Sequence, residues 1–182
     1  MTMAPVEQQR TLQGLVEEIR AVVQSSDDAA TVSRRVAECL QPYLGTEFLT
    51  PAQREPDPTH YKQHILHVEP DGSFSIVALV WLPGQETPIH DHVSWCVVGV
   101  HEGQEYATNY ELRSGAGERW LIESGNEVSP PGSTCALTPP GDIHKVVNNG
   151  DQLAISLHVY GADIGKLGSS ILNRYELEVR PA

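Results

Sequence analysis

The stretch GQETPIHDH, residues 84–92, contains two histidines, His90 and His92, that are separated by a single residue. On a β-strand, residues i and i+2 point to the same face, so both imidazoles point towards one place while Asp91 faces away. Two imidazoles on one face are suitable metal ligands, although a pair of surface histidines has the same spacing. This stretch therefore predicts a short strand that presents two candidate metal ligands.

A second stretch, PPGDIHKVVN at residues 139–148, contains another candidate ligand, His144. Its prolines and glycine predict a tight turn that places His144 at the start of the following strand. A histidine in a turn is usually only solvated, so this stretch taken alone is weak evidence for a metal site. His144 becomes a third candidate ligand if the two stretches meet in the folded chain.

Around these two stretches, the chain consists of short apolar runs separated by glycine, proline, asparagine and aspartate. Runs at this spacing are typical of an all-β sandwich or barrel. The predicted strands are residues 64–68, 74–81, 93–100, 106–111, 120–122, 135–137, 145–147 and 154–160, with 176–179 as a candidate edge strand.

The region before the strands is predicted to be helical. Residues 6–24 place leucine and valine at helical spacing, and residues 25–28 then interrupt the pattern and offer an N-cap for a second helix that ends near Pro42. The fold class is expected to be mainly β, a β-barrel with N-terminal α-helices. At this length we expect a single domain. Its parts are a helical segment 1–45, a barrel 61–160 and a C-terminal extension 161–182, within the domain 1–182.

The two histidine stretches resemble the two motifs of the cupin superfamily. Residues 84–103 have the glycines and histidines of the first motif in order, and residues 139–148 have those of the second. The resemblance covers roughly residues 61–160. It implies a cupin double-stranded β-barrel of the jelly-roll type with a metal ion inside. The implied ligands of that ion are His90, His92 and His144.

Cys96 stands where most cupins have a glutamate ligand, and this exchange is similar to the thiol dioxygenases of the cysteine dioxygenase family. That resemblance implies iron(II), Fe(2+), bound by three histidines, and the oxidation of a small thiol with O2 to a sulfinic acid. Three neutral imidazoles leave the ion its double charge and open positions for a thiolate and O2. In some members this cysteine is linked through sulfur to a later tyrosine, so the resemblance makes Cys96 and Tyr160 a candidate cross-link.

The run AISLHVY, residues 154–160, alternates strictly between apolar and polar residues, which places Ser156, His158 and Tyr160 on one face. An amphipathic strand that faces solvent has the same pattern. The three residues match the Ser-His-Tyr set of the thiol dioxygenases. The resemblance implies that Tyr160 lies beside O2 and substrate, that His158 holds Tyr160, and that Ser156 holds His158. A phenol can donate a hydrogen bond to negative charge that develops during a reaction.

Gln63 is the candidate substrate-binding residue. Mammalian-type cysteine dioxygenases have an arginine there that binds the substrate carboxylate, whereas glutamine is similar to bacterial 3-mercaptopropionate dioxygenases. Those enzymes have another arginine after the last barrel strand, but residues 161–169 contain none. Lys166 and Arg174 are the nearby cations that would have to replace it. The expected substrate is cysteine or a 3-mercaptopropionate-like thiol carboxylate.

The composition argues against several classes of partner. The chain has 182 residues with 12 Lys and Arg against 24 Asp and Glu, a net charge of −12. This balance disfavours nucleic acids and anionic membrane surfaces, and the acidic excess is expected to be mostly a solvated surface. Residues 1–10 lack the features of a signal peptide and no apolar run is long enough to span a bilayer, so we expect a cytoplasmic protein.

Two other classes of function stay open at this point. One is a different metal-dependent cupin enzyme, such as an isomerase, another oxygenase or a zinc hydrolase with an activated water. The other is a non-enzymatic cupin that binds a small molecule, which would not need a tyrosine facing O2. Cupins are often dimers, so the resemblance is also compatible with a homo-oligomer.

Overall fold

The computed structural model describes residues 10–26 and 28–181 and begins with two short α-helices. These are α1 (Leu12–Val23) and α2 (Ala29–Leu40). Asp28 lies in the segment predicted to offer an N-cap, and its side chain accepts a hydrogen bond from the Thr31 amide at 2.9 Å. Predictions that concern residues 1–9, Asp27 and Ala182 lie outside the described residues.

Eleven strands in the described residues form two sheets, which pack face to face. One sheet has the order β1-β2-β9-β4-β7 and the other has the order β10-β3-β8-β5-β6-β11. The first sheet consists of β1 (Lys62–Val68), β2 (Ser75–Trp81), β9 (Ala154–Tyr160), β4 (Cys96–Glu102) and β7 (Thr134–Leu137). The second consists of β10 (Ile171–Arg174), β3 (His90–His92), β8 (His144–Val147), β5 (Glu105–Gly115), β6 (Glu118–Ser129) and β11 (Val179–Arg180). A short helix, α3 (Ile164–Leu167), lies between β9 and β10.

The two helices cover the outer face of the five-stranded sheet. Their apolar residues form one buried cluster with the outward side chains of β2, β4 and β9. Gly99 on β4 permits this close approach, because a Cβ atom there would lie 2.8 Å from a methyl carbon of Leu40. Removing such a closely packed apolar layer from water is the main stabilising contribution to the fold. The arrangement confirms the predicted fold class, a mainly β barrel with N-terminal α-helices.

The inner faces of the two sheets enclose the barrel interior. Val77, Leu79 and Trp81 from β2 point inwards together with Cys96 of β4 and Val146 of β8. The β9 strand lies between β2 and β4, so it has a neighbour on both sides as well as a packed layer on both faces. All seven of its residues are buried. The alternative of a strand with one face in solvent is therefore wrong for β9.

Two regions differ from the predicted strands. The hairpin of β5 and β6 is much longer than predicted, and it turns at Ala116 and Gly117, which both have positive φ. Its outer part is polar and exposed, so it lacks the apolar alternation on which the prediction relied. In the region predicted as a C-terminal extension, β10 pairs with β3 and β11 pairs with β6, so this region completes the six-stranded sheet.

None of the helices in the described part of the chain has the length and apolar character needed to cross a lipid bilayer.

Candidate metal centre

The three predicted metal ligands lie together inside the barrel. His90 and His92 share one face of β3, and His90 is directly opposite His144 of β8 in the antiparallel ladder. The centroids of the three rings are 4.7 to 5.0 Å apart. One nitrogen from each ring lies within 4.8 Å of the other two. Because all three side chains are buried, the alternative of solvated surface histidines is wrong.

Hydrogen bonds hold two of these rings in the orientation that a metal requires. The Nδ1 of His90 donates to the carbonyl oxygen of Pro88 at 2.9 Å. The Nδ1 of His92 donates to Oδ2 of Asp142 at 2.8 Å, and the same oxygen accepts from the His92 amide. A proton on Nδ1 leaves Nε2 with a free lone pair, which is the form that binds a metal.

Two of the imidazoles, those of His90 and His144, are also in the right charge state for binding a cation. Burial, together with the neighbouring His92, lowers the pKa of His90 to about 4. Burial and the other two histidines hold the pKa of His144 well below its usual value. Metal ligands must be deprotonated, so His90 and His144 need no proton release near neutral pH. Three buried nitrogens at these separations fit a divalent ion.

Asp142 contributes to the centre without being a predicted site residue. It lies two positions before His144 in the turn, and its carboxylate is buried against His92. A carboxylate that accepts from a ligating histidine fixes the ring and makes it more basic. The proximity of Asp142 to His144 in sequence is the one signal that could have identified it, because the contact itself joins residues 50 positions apart.

Substituting Asp142 by asparagine should weaken metal binding by roughly 10–100-fold, since it removes the charge that fixes the His92 ring. The affinity can be measured by competition with a chromophoric chelator. The matched control is Asp151→Asn, which changes an exposed aspartate on a loop and should leave the affinity unchanged. Equal affinities for the two variants would show that Asp142 has no such role.

The predicted Ser156, His158 and Tyr160 form a continuous hydrogen-bonded chain on the inner face of β9. The Tyr160 hydroxyl is 3.1 Å from Nδ1 of His158, and the Ser156 hydroxyl is 2.9 Å from Nε2 of the same ring. Trp81 extends the chain, because its indole Nε1 donates to Ser156 Oγ at 3.1 Å. Burial, followed by the nearby His92, lowers the pKa of His158 to about 3, so this ring is neutral.

This hydrogen-bonded row of side chains ends at Tyr160, beside the three histidines. The ring centroid of Tyr160 is 6.2 Å from that of His92. Burial is the main reason that the pKa of Tyr160 lies well above its usual value. The phenol therefore keeps its proton and can act as a hydrogen-bond donor near the metal centre.

Cys96 is fully buried and lies directly opposite Tyr160 in the β4–β9 ladder. Directly opposite residues in an antiparallel pair have Cβ atoms about 4.5–5.5 Å apart and point to the same face. Burial raises the pKa of the Cys96 thiol well above its usual value, while the Tyr160 hydroxyl acts in the opposite direction. The structure thus brings together the two residues that were predicted as a candidate cross-link.

The predicted substrate residue Gln63 lies on the edge strand β1. It pairs with Leu79, whose side chain points into the barrel, so Gln63 is on the inner side of the sheet. Its side chain is exposed and makes no hydrogen bond to the described residues.

Of the two nearby cations, Arg174 is the one placed beside the centre. It lies directly opposite His90 in the β10–β3 pair, which puts it on the same face as this ligand. Its charge also acts on Tyr61: burial raises the pKa of Tyr61 and Arg174 opposes that rise. The Tyr61 ring packs on Trp81 with centroids 4.4 Å apart. The side chains of Arg174 and Lys166 are both exposed, and Lys166 lies on the short helix α3.

Asp91, which was predicted to face away from the metal, lies on the opposite side of β3. Its carboxylate accepts hydrogen bonds from Asn173 and from the Tyr175 hydroxyl. These contacts hold β10 and the residues after it against β3. Asp91 therefore helps to position Arg174 beside His90.

The chain is similar to a described protein family and to several solved structures. The family described as cysteine dioxygenase type I matches residues 1–167. A protein with a double-stranded β-helix domain from Klebsiella pneumoniae is 16% identical and has a TM-score of 0.48 over 64% of this chain and 85% of that one. An RmlC-like cupin from Desulfovibrio desulfuricans is 19% identical, with a TM-score of 0.43 over 59% and 88% of the two chains. A Cupin 2 conserved barrel domain protein from Salinispora arenicola is 20% identical, with a TM-score of 0.42 over 62% and 83%.

The family match extends over the helices, both histidine stretches and the strand that carries Tyr160. It therefore includes every residue of the metal centre and of the hydrogen-bonded chain beside it. The protein belongs to the cysteine dioxygenase type I family.

Proposed function

We propose that the protein is a non-haem iron(II) thiol dioxygenase that converts a small thiol carboxylate and O2 into the corresponding sulfinic acid. Both atoms of O2 enter the product, so the thiol and O2 together account for every atom of the sulfinic acid. The observation that carries the proposal is the meeting of two groups: three buried histidines, and a protonated tyrosine held beside them by His158. Cys96 occupies the place of the usual cupin carboxylate, so the donor set has no negative charge.

A neutral donor set suits an anionic substrate. When bound, an iron(II) ion would acidify the substrate thiol and supply the redox chemistry that O2 requires. His90, His92 and His144 would hold it without cancelling its charge, which matters because the chain as a whole carries a net charge of −12. The attraction for a thiolate must therefore come from the centre itself and from nearby donors.

Tyr160 is the residue that we assign to the oxygen-transfer step. Its ring centroid is 6.2 Å from that of His92, and its hydroxyl would donate a hydrogen bond to oxygen or sulfur held at the histidines. His158 and Ser156 fix the direction of that hydroxyl, and the indole of Trp81 fixes Ser156. Because these four hydrogen-bonded side chains are all buried, the donors do not have to reorganise from a solvated state during the reaction.

We assign the substrate carboxylate to Arg174, with Gln63 as a second, neutral donor. Arg174 lies opposite His90, whereas Gln63 lies on the inner side of the facing sheet. An arginine can bind a carboxylate through two parallel hydrogen bonds, which a glutamine amide cannot do. A thiol carboxylate bound near the histidines through sulfur would thus extend towards the edge of the barrel.

Replacing Arg174 by alanine is expected to raise the KM for 3-mercaptopropionate or cysteine by roughly tenfold or more, because a hydrogen-bonded ion pair is lost. The KM for cysteamine, which has no carboxylate, should change little. Lys166→Ala is the matched variant, since it removes an exposed cation on α3. A larger effect at Lys166 than at Arg174 would contradict this assignment.

The activity is tested with a panel of thiols on the full-length, iron-loaded protein. Oxygen uptake is recorded with cysteine, 3-mercaptopropionate, cysteamine and related thiols, and the sulfinic acid is identified by mass. Emission spectroscopy of the purified protein measures iron, zinc and manganese. Absence of turnover with every thiol would refute the proposal, and zinc in place of iron would favour a hydrolytic cupin.

We also propose a thioether between Cys96 and Tyr160. Their direct pairing and complete burial support it. The bond would join Sγ to a ring carbon, with the loss of the thiol proton and one ring hydrogen and the transfer of two electrons to O2. An intact mass that is lower by two hydrogen atoms would support the bond, and an unchanged mass in fully active protein would contradict it.

A further inference from the structure

The strand β10 has one residue more than the segment of β3 with which it pairs. Its first and last residues, Ile171 and Arg174, lie opposite His92 and His90. Three steps along β10 therefore match two steps along β3, so two residues of β10 share one position of the neighbouring strand. Such an extra residue forms a β-bulge, which is common next to active sites because it changes the direction of a side chain.

The bulge decides which residue of β10 shares a face with the metal ligands. If the pairing continued regularly from the start of β10, Asn173 would lie opposite His90 and Arg174 would lie opposite Ile89. Ile89 precedes His90, so it faces away from the histidines, and it packs in a separate apolar cluster. Arg174 would then point away from the centre. Because of the extra residue, Arg174 instead lies opposite His90 and on the same face as this ligand.

The backbone next to Arg174 brings this residue close to His90. The Tyr175 amide donates to the carbonyl oxygen of Ile89 at 2.9 Å, immediately beyond the Arg174–His90 pair. A pair that is flanked in this way is of the non-hydrogen-bonded type, in which the Cα atoms are about 4.5 Å apart and the side chains are closer than in the other type. The Arg174 side chain therefore begins beside a metal ligand.

A bulge disrupts the ladder locally, and the Asp91 carboxylate supplies the hydrogen-bond acceptor that the ladder does not. Neither Leu172 nor Asn173 is paired with a residue of β3. Oδ1 of Asp91 accepts from the Asn173 amide at 2.8 Å, and the two carboxylate oxygens accept from Asn173 Nδ2 at 3.1 and 3.0 Å. Oδ2 also accepts from the Tyr175 hydroxyl at 2.7 Å. One carboxylate thus binds both sequence neighbours of Arg174.

Apolar packing contributes little to holding the bulge itself. The Leu172 side chain is 60% exposed, and the side chains of Asn173 and Arg174 are exposed as well. The Tyr175 ring packs against an apolar cluster, which anchors the chain only beyond the bulge. Hydrogen bonds to an ionised carboxylate are stronger than those between neutral groups, so the bonds to Asp91 are the main side-chain contribution to the shape of the bulge.

We propose that the β10 bulge and the Asp91 carboxylate together direct Arg174 towards the metal centre, which makes Asp91, Asn173 and Tyr175 positioning residues for recognition of the substrate carboxylate. This role rests on the proposed thiol dioxygenase function, whereas the direction of Arg174 does not. His90 acts on the inner face of β3 and Asp91 acts on the outer face. One short strand therefore fixes both the metal ligands and the cation that binds the substrate.

The test combines two changes that should compensate each other in the full-length, iron-loaded protein. Asp91→Ala removes the acceptor of the Asn173 amide, so the KM for 3-mercaptopropionate should rise roughly tenfold or more, while its kcat and the KM for cysteamine change little. Deletion of Leu172 removes the bulge and leaves Arg174 opposite His90 in a regular ladder that does not need Asp91. Asp91→Ala protein that also lacks Leu172 should therefore regain the KM of the unmodified protein.

Leu172→Ala is the matched control, because it keeps the bulge and shortens only an exposed side chain. It should leave the KM for 3-mercaptopropionate unchanged. Competition with a chromophoric chelator should give the same metal affinity for every variant. An unchanged KM for 3-mercaptopropionate in Asp91→Ala, or an equal rise for cysteamine, would overturn the proposal. Failure of the Leu172 deletion to restore the KM in the combined variant would overturn it as well.

A second measurement needs neither turnover nor a change at Asp91. Amide hydrogen exchange, followed by NMR on protein loaded with Zn²⁺, should show a protected Asn173 amide although this residue is exposed and unpaired in the ladder. Replacing Zn²⁺ by paramagnetic Co²⁺ should broaden the Arg174 Nε–H signal more than the Asn173 Nδ2 signals, because such broadening falls steeply with distance. Loss of the signal in Arg174→Lys assigns it.

A freely exchanging Asn173 amide, or stronger broadening at Asn173 than at Arg174, would overturn the proposal even if thiols are oxidised. If both signals behave as expected and no thiol is turned over, the direction of Arg174 is supported and the dioxygenase function is refuted.

Discussion

Substitution of His144 by alanine is expected to abolish metal binding and to lower thiol oxidation by at least about 10³-fold, or roughly 4 kcal/mol of transition-state stabilisation. His144 would supply one of the three proposed ligands; it comes from β8, whereas the other two come from β3. Two imidazoles on a three-residue strand cannot enclose a divalent ion from both sides. Metal content and initial rates of oxygen uptake measure the effect.

Thermal unfolding separates a lost ligand from a damaged fold. A metal ion that binds only the native state stabilises that state by about 2.7 kcal/mol when its concentration is a hundredfold above Kd. The unmodified protein should show such a metal-dependent rise in Tm, whereas His144→Ala should unfold at the same temperature with and without metal. His60→Ala, at an exposed imidazole, is the control and should behave like the unmodified protein. Metal-dependent stabilisation in His144→Ala would contradict the assignment of this ligand.

Substitution of Tyr160 by phenylalanine is expected to lower kcat by roughly 10²–10³-fold while leaving metal affinity and KM nearly unchanged. The change removes one hydroxyl from the inner face of β9 and leaves the packing of the ring intact. Less sulfinic acid should also form for each O2 consumed, because the hydroxyl no longer directs oxygen to sulfur. Product mass analysis alongside oxygen uptake measures this yield.

Cys96→Ser separates the two roles that we assign to Tyr160, which are the thioether to Cys96 and hydrogen-bond donation during oxygen transfer. This variant cannot form the thioether but keeps the Tyr160 hydroxyl and its bond to His158. It should therefore retain much more activity than Tyr160→Phe. Tyr106→Phe, on β5 and away from the histidines, is the control for loss of a phenol. If Tyr160→Phe keeps the kcat of the unmodified protein, the oxygen-transfer role is wrong.

Some of the predicted site residues could be grouped from a signal that lies within one strand. His90 and His92, and likewise Ser156 and His158, share a face because side chains alternate along a strand, which any extended segment obeys. Placing His144 beside the first pair required a resemblance to the cupin motifs, because no local pattern connects residues of β3 with those of β8.

Two contributors were missed or left unplaced because their role depends on strand pairing. Asp142 looks like an ordinary turn residue until its carboxylate meets His92. Arg174 lies on β10, a strand without apolar alternation that pairs with β3 through its backbone.

The sequence by itself determined the kinds of groups in the site and which of them share a strand face. It predicted the His90/His92 pair and the Ser-His-Tyr row, because residue type and the two-residue period of a strand are local properties. The third imidazole and the cysteine in place of a carboxylate came from the resemblance to known motifs. The tertiary structure alone decided the ring tautomers of His90 and His92, the direct pairing of Cys96 with Tyr160 and the burial that keeps His90 and His144 neutral. These depend on strand register and on exclusion of water, which arise only when distant segments pack together.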